Sequence, residues 1–296
     1  MKPPEKKTAL RLLKCAISLA VYCATVFASW MRKIAGQTRP GRCVVLYYHS
    51  VPRRQRERFA RQLDLLIRVA HPIQAAGQIR LQEGEHYAAV TFDDGLEDFF
   101  TVALPELRQR EIPSLMFVIA DAAGKSFGPE GSVERVMSIE QIRSLPRDLV
   151  TIGSHTLTHP YLPEAKPADA ARELLESRLK LERDLGWPVD TFSFPFGGFA
   201  DWLLDLCREA GYRRIFTTVP GFAFDGDPDA FVVGRVRVDP TDSLLEFRLK
   251  VAGAYRWLAY AVALKRRMRS NRFIKRVLIG SEGDFSGAAP KVSITD

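Results

Sequence analysis

Histidine is scarce in this chain of 296 residues: there are only five, and none follows His159. Cysteine is scarcer still. Cys15, Cys23, Cys43 and Cys207 form no CxxC pair and no Cys/His ligand spacing, which excludes a disulfide scaffold and a zinc finger. Cys15 and Cys23 fall in one apolar run, so Cys43 and Cys207 are the pair left outside it. No internal repeat stands out. Positive charge is missing from the middle of the chain, although the net charge is +8. Residues 1–42 carry nine Lys or Arg against Glu5, and residues 243–276 carry ten against Glu246. The body from 43 to 242 holds 23 basic and 30 acidic residues. A nucleic-acid enzyme needs positive charge around its site, so no nucleic-acid partner is expected. Charge at the two ends suits an anionic membrane surface instead.

A hydrophobic content of 46% allows a sizeable core. At the N-terminus, Lys2, Lys6, Lys7, Arg11 and Lys14 precede a charge-free stretch from Cys15 to Met31. Seventeen helical residues reach about 25 Å, the short limit for crossing a bilayer. Trp30, Arg32 and Lys33 resemble an interfacial edge. Ala28-Ser29-Trp30 is a poor cleavage site, so the segment reads as an uncleaved, single-pass signal anchor. A cleaved signal and a buried soluble helix are the alternatives. The basic leader favours export of the body, while Arg32, Lys33, Arg39 and Arg42 weaken that bias.

Arg39-Pro40-Gly41 reads as a linker, after which strand-like and helix-like segments alternate. Strands are expected at Cys43–Tyr48, Ala88–Phe92, Ser114–Ala120, Leu149–Ile152, Thr191–Phe194, Tyr212–Thr218 and Phe231–Val238. Helical spacing appears at Phe59, Leu63, Leu66 and Ile67, and across Asp98–Arg110, where Pro105 kinks or divides it. Ser138 and Gln141 form a capping-box pair before a short helix. A helix from Pro167 to Gly186 turns Leu174, Leu175, Leu179 and Leu185 inward, and another follows at Asp201–Ala210. The last helical stretch runs from Asp242 to Met268. This alternation argues for a mainly parallel α/β sheet, and so many units favour a barrel or partial barrel.

Three short stretches carry the chemistry, each just after a strand. In Thr91-Phe92-Asp93-Asp94-Gly95, a turn brings two carboxylates to one pocket, one to bind a cation and one to take a proton. Alone, the same residues fit a solvated turn or a helix cap. In Ser154-His155-Thr156-Leu157-Thr158-His159-Pro160, spacing of four puts both imidazoles on one side of a helical or tightly curved segment. One carboxylate with two imidazoles suits catalytic zinc and also a non-haem iron site. In Phe194-Pro195-Phe196-Gly197-Gly198, Pro195 and Gly197 make a rigid turn that aims the amide of Phe196 at a developing oxyanion.

In this order, the motifs resemble those of the polysaccharide deacetylase family, also called the NodB-homology or carbohydrate esterase family 4. The resemblance covers about residues 43–240. It implies a distorted (β/α) barrel and metal-dependent removal of acetyl groups from sugars. By motif, Asp93 is the expected general base, and Asp94, His155 and His159 hold one divalent metal ion, with zinc the leading candidate. The Phe196 N–H is expected at the oxyanion. Two departures stand out. Ser193 occupies the place of a motif arginine that orients the base, for which Arg235 or Arg237 is a candidate replacement. The family's late Leu-x-His acid is also missing. Leu46-Tyr47-Tyr48-His49-Ser50 resembles the opening motif of the poly-N-acetylglucosamine deacetylase branch, which makes His49 the candidate acid. His49 also fits as a residue that merely ends a strand. Asp98, Asp201 and Trp202 are candidates to line the groove, while His71 and His86 are expected on the surface.

The expected organisation is a leader, membrane anchor and linker at 1–42, a catalytic domain at 43–242, a basic amphipathic helix at 243–280 and a disordered tail at 281–296. Tyr255, Trp257 and Tyr260 suit a helix lying on the membrane; a core-packing helix with a solvated basic tail is the alternative. The expected function is N-deacetylation of an envelope glycan, exopolysaccharide or lipid-linked saccharide at the bacterial inner membrane, with the catalytic domain periplasmic. O-deacetylation or deformylation of a lipid-linked sugar is the nearest alternative. A catalytically inert glycan-binding or assembly protein is the alternative of a different class.

Overall fold

The run from Cys43 to Tyr48 is buried on both faces because it forms the strand on which the sheet closes. A computed structural model describes residues 4–128, 133–224, 226–260 and 293–295. Its strands are β1 (Arg42–Tyr48), β2 (His71–Pro72), β3 (His86–Phe92), β4 (Ser114–Val118), β5 (Ser126–Gly128), β6 (Glu134–Arg135), β7 (Val150–Ser154), β8 (Thr191–Ser193), β9 (Arg214–Thr217), β10 (Val232–Arg237) and β11 (Ser293–Thr295). The helices are α1 (Pro4–Ile34), α2 (Arg56–Val69), α3 (Leu104–Gln109), α4 (Ile139–Arg143), α5 (Pro167–Leu185), α6 (Trp202–Glu209) and α7 (Leu244–Val251).

Seven parallel strands close a barrel in the order β1, β10, β9, β8, β7, β4, β3 and back to β1. The closing pair β1–β3 is in register from Arg42↔His86 to Tyr48↔Phe92. β2 pairs with the start of β3 outside the ring. Alternate strand positions divide the core. Cys43, Val45, Leu115, Phe117, Phe216 and Val233 pack together inside. Val44, Leu46 and Tyr48 face outward to Phe59 and Leu63 of α2 and Phe247 of α7. β5 pairs antiparallel with β6 and β11 in a separate small sheet.

The helices depart from the sequence pattern at several points. The expected helix from Asp98 is divided: Phe99–Ala103 form a wide π-type turn, and α3 begins with Pro105 in its first turn. Proline has no N–H for the preceding turn, so the division falls there. The Ser138–Gln141 capping box is present. In α5, Leu174 and Leu185 are buried, but Leu175 and Leu179 are exposed. The buried phase runs through Glu173, Ser177 and Leu181 instead, and Ser154 donates to the Ser177 hydroxyl at 2.9 Å. The last helix ends early. α7 stops at Val251, Gly253 turns left-handed at φ 71°, and helix resumes only at 257–260. The expected basic run at 265–276 lies outside the described residues. Within the tail expected to be disordered, Ser293–Thr295 form β11, so that expectation fails for these three.

Cys43 and Cys207 are buried free thiols. His71 is exposed and meets Glu85 at 2.9 Å. His86 is not the surface residue expected from its neighbours. It opens β3, and its Nε2 lies 2.9 Å from the Val251 carbonyl at the end of α7.

Phe59 is fully buried, its ring packed at right angles on Tyr48 with centroids 5.2 Å apart. Phe59→Ala is expected to lower unfolding free energy by about 3–5 kcal/mol, read from chemical denaturation. A change below 1 kcal/mol would show that α2 is not fastened through this ring.

Candidate metal centre and active site

Asp93 continues the β3 ladder, its N–H donating to the Tyr48 carbonyl at 3.0 Å. Strand alternation alone would send the next carboxylate to the opposite side. Asp94 instead takes φ 72° and Gly95 φ 73°. Aspartate tolerates this left-handed step better than most residues. The step sets Asp94 Oδ1 3.4 Å from Nε2 of both His155 and His159.

His155 follows β7, and its Nδ1 lies 2.8 Å from the Ser193 carbonyl. A carbonyl only accepts, so Nδ1 carries the proton and Nε2 keeps its lone pair toward Asp94. Burial, aided by His159, pushes the His155 pKa down to about 4 against the pull of Asp93 and Asp94. The ring is therefore neutral at neutral pH, as a ligand must be. Thr156 and His159 both take positive φ, 70° and 67°. The segment between the imidazoles is thus tightly curved rather than helical. Glu173 of α5 holds it, accepting from the Leu157 and Thr158 N–H groups at 2.9 Å each and from the Thr158 hydroxyl at 2.6 Å.

Asp94, His155 and His159 are all buried, with one donor atom from each within 4.8 Å of the others. Asp94 Oδ1 and His159 Nδ1 have no hydrogen-bond partner. Burial opposes ionisation of Asp94, but the His159 contact, followed by the influence of His49 and His155, holds its carboxyl well below the usual range. A buried carboxylate oxygen with no proton donor is costly, and a cation between the three side chains removes that cost. One carboxylate and two imidazoles are a fitting donor set for a divalent metal ion.

Asp93 is held differently. Arg235, fully buried on β10, donates to both of its oxygens, at 2.7 and 2.9 Å. The same guanidinium reaches the hydroxyls of Thr91 at 3.0 Å and Ser193 at 2.6 Å, and stacks over Tyr47. Burial opposes ionisation here too, but Arg235, followed by His155, keeps the Asp93 carboxyl below its ordinary range.

The amino-acid sequence from residue 80 to 215 matches the polysaccharide deacetylase family model. The closed barrel is shared with the structure of IcaB from Ammonifex degensii, at TM-score 0.60 and 28% identity, over 73% of this chain and 98% of that one. Residues 80–215 therefore carry a polysaccharide deacetylase domain. Bacillus subtilis YxkH, itself only provisionally described as a polysaccharide deacetylase, is 26% identical over 213 residues, 68% of this chain and 73% of that protein. Streptococcus pyogenes deacetylase PplD, solved with acetate, shares the fold at TM-score 0.59 and 21% identity, over 72% of this chain and 99% of that one.

Compared with the family motif, the arginine has moved. Ser193 stands in its place on β8, and Arg235 reaches the same carboxylate from β10; Arg237, the other candidate, is exposed. Phe196 takes φ 56° in the Pro195–Gly197 turn, and its ring lies edge-on to His159 with centroids 4.6 Å apart. The turn's own bonds run from the N–H of Gly197 to Phe194 and of Gly198 to Pro195, so they do not use the Phe196 N–H. Gly197, at φ 66°, presses against Thr218, where a side chain has no room.

His49 stands one residue past β1, packed on Tyr47 with ring centroids 5.6 Å apart, and lies near enough to favour the ionised form of both Asp93 and Asp94. Asp98 does not line an open groove. Its Oδ2 accepts from the Ser50 hydroxyl and, at 2.7 Å, from the Val51 N–H, which tethers the turn behind His49. Asp201 and Trp202 sit exposed at the start of α6.

Arg235→Gln leaves a buried carboxylate uncompensated and is expected to cost about 3–5 kcal/mol, read by denaturation. Because the folded pKa of Asp93 lies below its usual 3.8, this stabilisation is complete above that value and is lost as pH falls through the folded pKa. The variant should lack that acid-limb loss. Glu173→Ala frees the curved segment and should weaken metal binding about 10–100-fold, read by competition with a chromogenic chelator. Unchanged affinity would show that Glu173 does not position His159.

Proposed function

We propose that the protein is a metal-dependent N-deacetylase of an N-acetylated glycan, either an exopolysaccharide of the poly-N-acetylglucosamine type or a lipid-linked saccharide, with zinc as its metal. The observation that carries this reading is the contrast between two adjacent aspartates. One faces two imidazoles with an unpaired oxygen, and the other is clamped by an arginine. The similarity to IcaB and the Tyr48-His49 opening favour an N-acetylglucosamine polymer. Membrane attachment through α1, with the catalytic domain extracytoplasmic, fits an enzyme that meets its glycan during synthesis or export.

Asp94, His155 and His159 would hold the metal, which supplies a Lewis acid that lowers the pKa of water and polarises the acetamide carbonyl. Asp93 takes the proton of the attacking water. Both of its oxygens receive Arg235, but each keeps a second lone pair, so the clamp fixes the base without consuming it. Arg235 also holds Asp93 ionised in its buried setting. The Phe196 N–H, left over from its own turn, donates to the oxyanion as the carbonyl carbon becomes tetrahedral. His49 protonates the departing sugar nitrogen, taking the role of the missing late histidine. Acetate and a free amine are the products.

Metal analysis and acetate release from poly-N-acetylglucosamine oligomers test these roles. Asp93→Asn should keep the metal and lose turnover. His49→Ala should keep the metal and slow turnover by roughly 10²–10⁴, the range for a lost general acid. Full activity in His49→Ala removes that assignment. Removal of the metal by a chelator should abolish acetate release and zinc should restore it. Bound metal with no turnover on any acetylated or formylated glycan would favour the glycan-binding alternative.

A further inference from the structure

The helix α1 meets the barrel domain along a single stripe. Arg11 forms ion pairs with Glu246 at 2.7 Å and Asp242 at 2.9 Å. Ser18, fully buried, accepts from the Trp257 indole N–H at 3.0 Å. Thr25 accepts from Arg256 at 3.3 Å, and Ser29 from Arg39 at 2.7 Å. Cys15 and Tyr22 pack on the outer core between them. These positions, 11, 15, 18, 22, 25 and 29, recur at steps of three and four, so they lie on one face.

From Ala9 to Ile34 the opposite face is apolar. At 3.6 residues per turn it carries Leu13, Ala20, Phe27, Met31 and Ile34, with Leu12 and Trp30 beside them. Phe27 is 62% exposed and Ile34 63%, and the most apolar window of the helix is only 6% buried. A bare apolar surface of this length is not stable in water and needs a cover. Lys14 and Arg32 project along one margin of the docked stripe, and residues 1–42 carry nine basic side chains against one acidic.

We infer that α1 lies in the plane of the membrane surface rather than across it, with its outward face in an anionic bilayer and its polar stripe fastened to the barrel. The docked contacts run from Arg11 to Ser29, eighteen residue steps, or about 27 Å of helix. That is nearly the whole hydrocarbon thickness of a bilayer. A spanning α1 that kept these contacts would carry Asp242, Glu246, Lys250 and Arg256 into the hydrocarbon. A spanning α1 that lost them would expose Ser18, Trp257 and the Asp242–Glu246 acids at once. The in-plane arrangement satisfies both faces. It rests on the reading that α1 attaches the protein to a membrane, and it replaces the single-pass anchor expected from the sequence.

The test is side-specific labelling of the full-length chain in its host membrane. Lys2→Cys and Gln37→Cys, each in a Cys15→Ser, Cys23→Ser background, are exposed to a membrane-impermeant maleimide in spheroplasts and in inverted vesicles. Acetate release by each variant confirms that the barrel is intact. In-plane attachment predicts that both cysteines are labelled in the same one of the two preparations, at least tenfold over the other. Labelling from opposite sides overturns the in-plane inference and restores a spanning helix, leaving the membrane-attachment reading in place. Recovery of the intact chain in the soluble fraction after a low-salt wash would overturn the attachment itself, and the inference with it.

Discussion

Arg235 comes from the last barrel strand and Asp93 from the end of β3, and β1 lies between them. Their paired hydrogen bonds can form only when the sheet has closed through β1. Once closed, the guanidinium is also bound by Thr91 and Ser193 and roofed by Tyr47. A buried ion pair of this kind adds little net stability over an apolar substitute, but it is strongly specific about geometry. The chemistry of the site is thus tied to correct barrel closure. A chain that mispaired β1 would lose both the placement of the Asp93 carboxylate and the charge that keeps it ionised.

The candidate metal ligands were readable from the sequence because each sits in a short local motif whose residue types have few other uses in combination. Asp94, His155 and His159 converge as the family resemblance implied. Arg235 was legible only as one of two candidates. Period-2 alternation puts Arg235 and Arg237 on the same face of β10, and spacing cannot say which lies deep enough to meet Asp93. Glu173 was missed. Its signal was an acid in the inward phase of α5, but the four leucines of that helix drew attention to a phase that two of them do not share. Tertiary demand decided the matter: a small Ser177 and an acidic Glu173 face inward because β7 and the histidine turn need their hydrogen bonds.

The helix ends follow the same logic. Capping pairs and left-handed glycines are local, so Ser138–Gln141 and Gly186 were legible. The break after Val251 was not, since Gly253 sits in a run that is otherwise strongly helical in composition. What favours the break is a set of distant partners, among them His86 at the end of α7 and Ser18 beneath Trp257. The polar stripe of α1 was hidden for a related reason. Ser18, Thr25 and Ser29 are too mild to interrupt an apolar run, and their common face has meaning only once a second surface is present to receive it.

The turn that begins at Asp93 does more than supply two carboxylates. Five residues later the same stretch presents Asp98, which grips Ser50 and Val51 directly behind His49. One uninterrupted segment therefore works as a ruler, setting the gap between Asp93 and His49 at the ends of the neighbouring strands β3 and β1. Its length is a fixed quantity: inserting or deleting even one residue between Gly95 and Asp98 would shift the turn behind His49 against Asp93 while both side chains were still present.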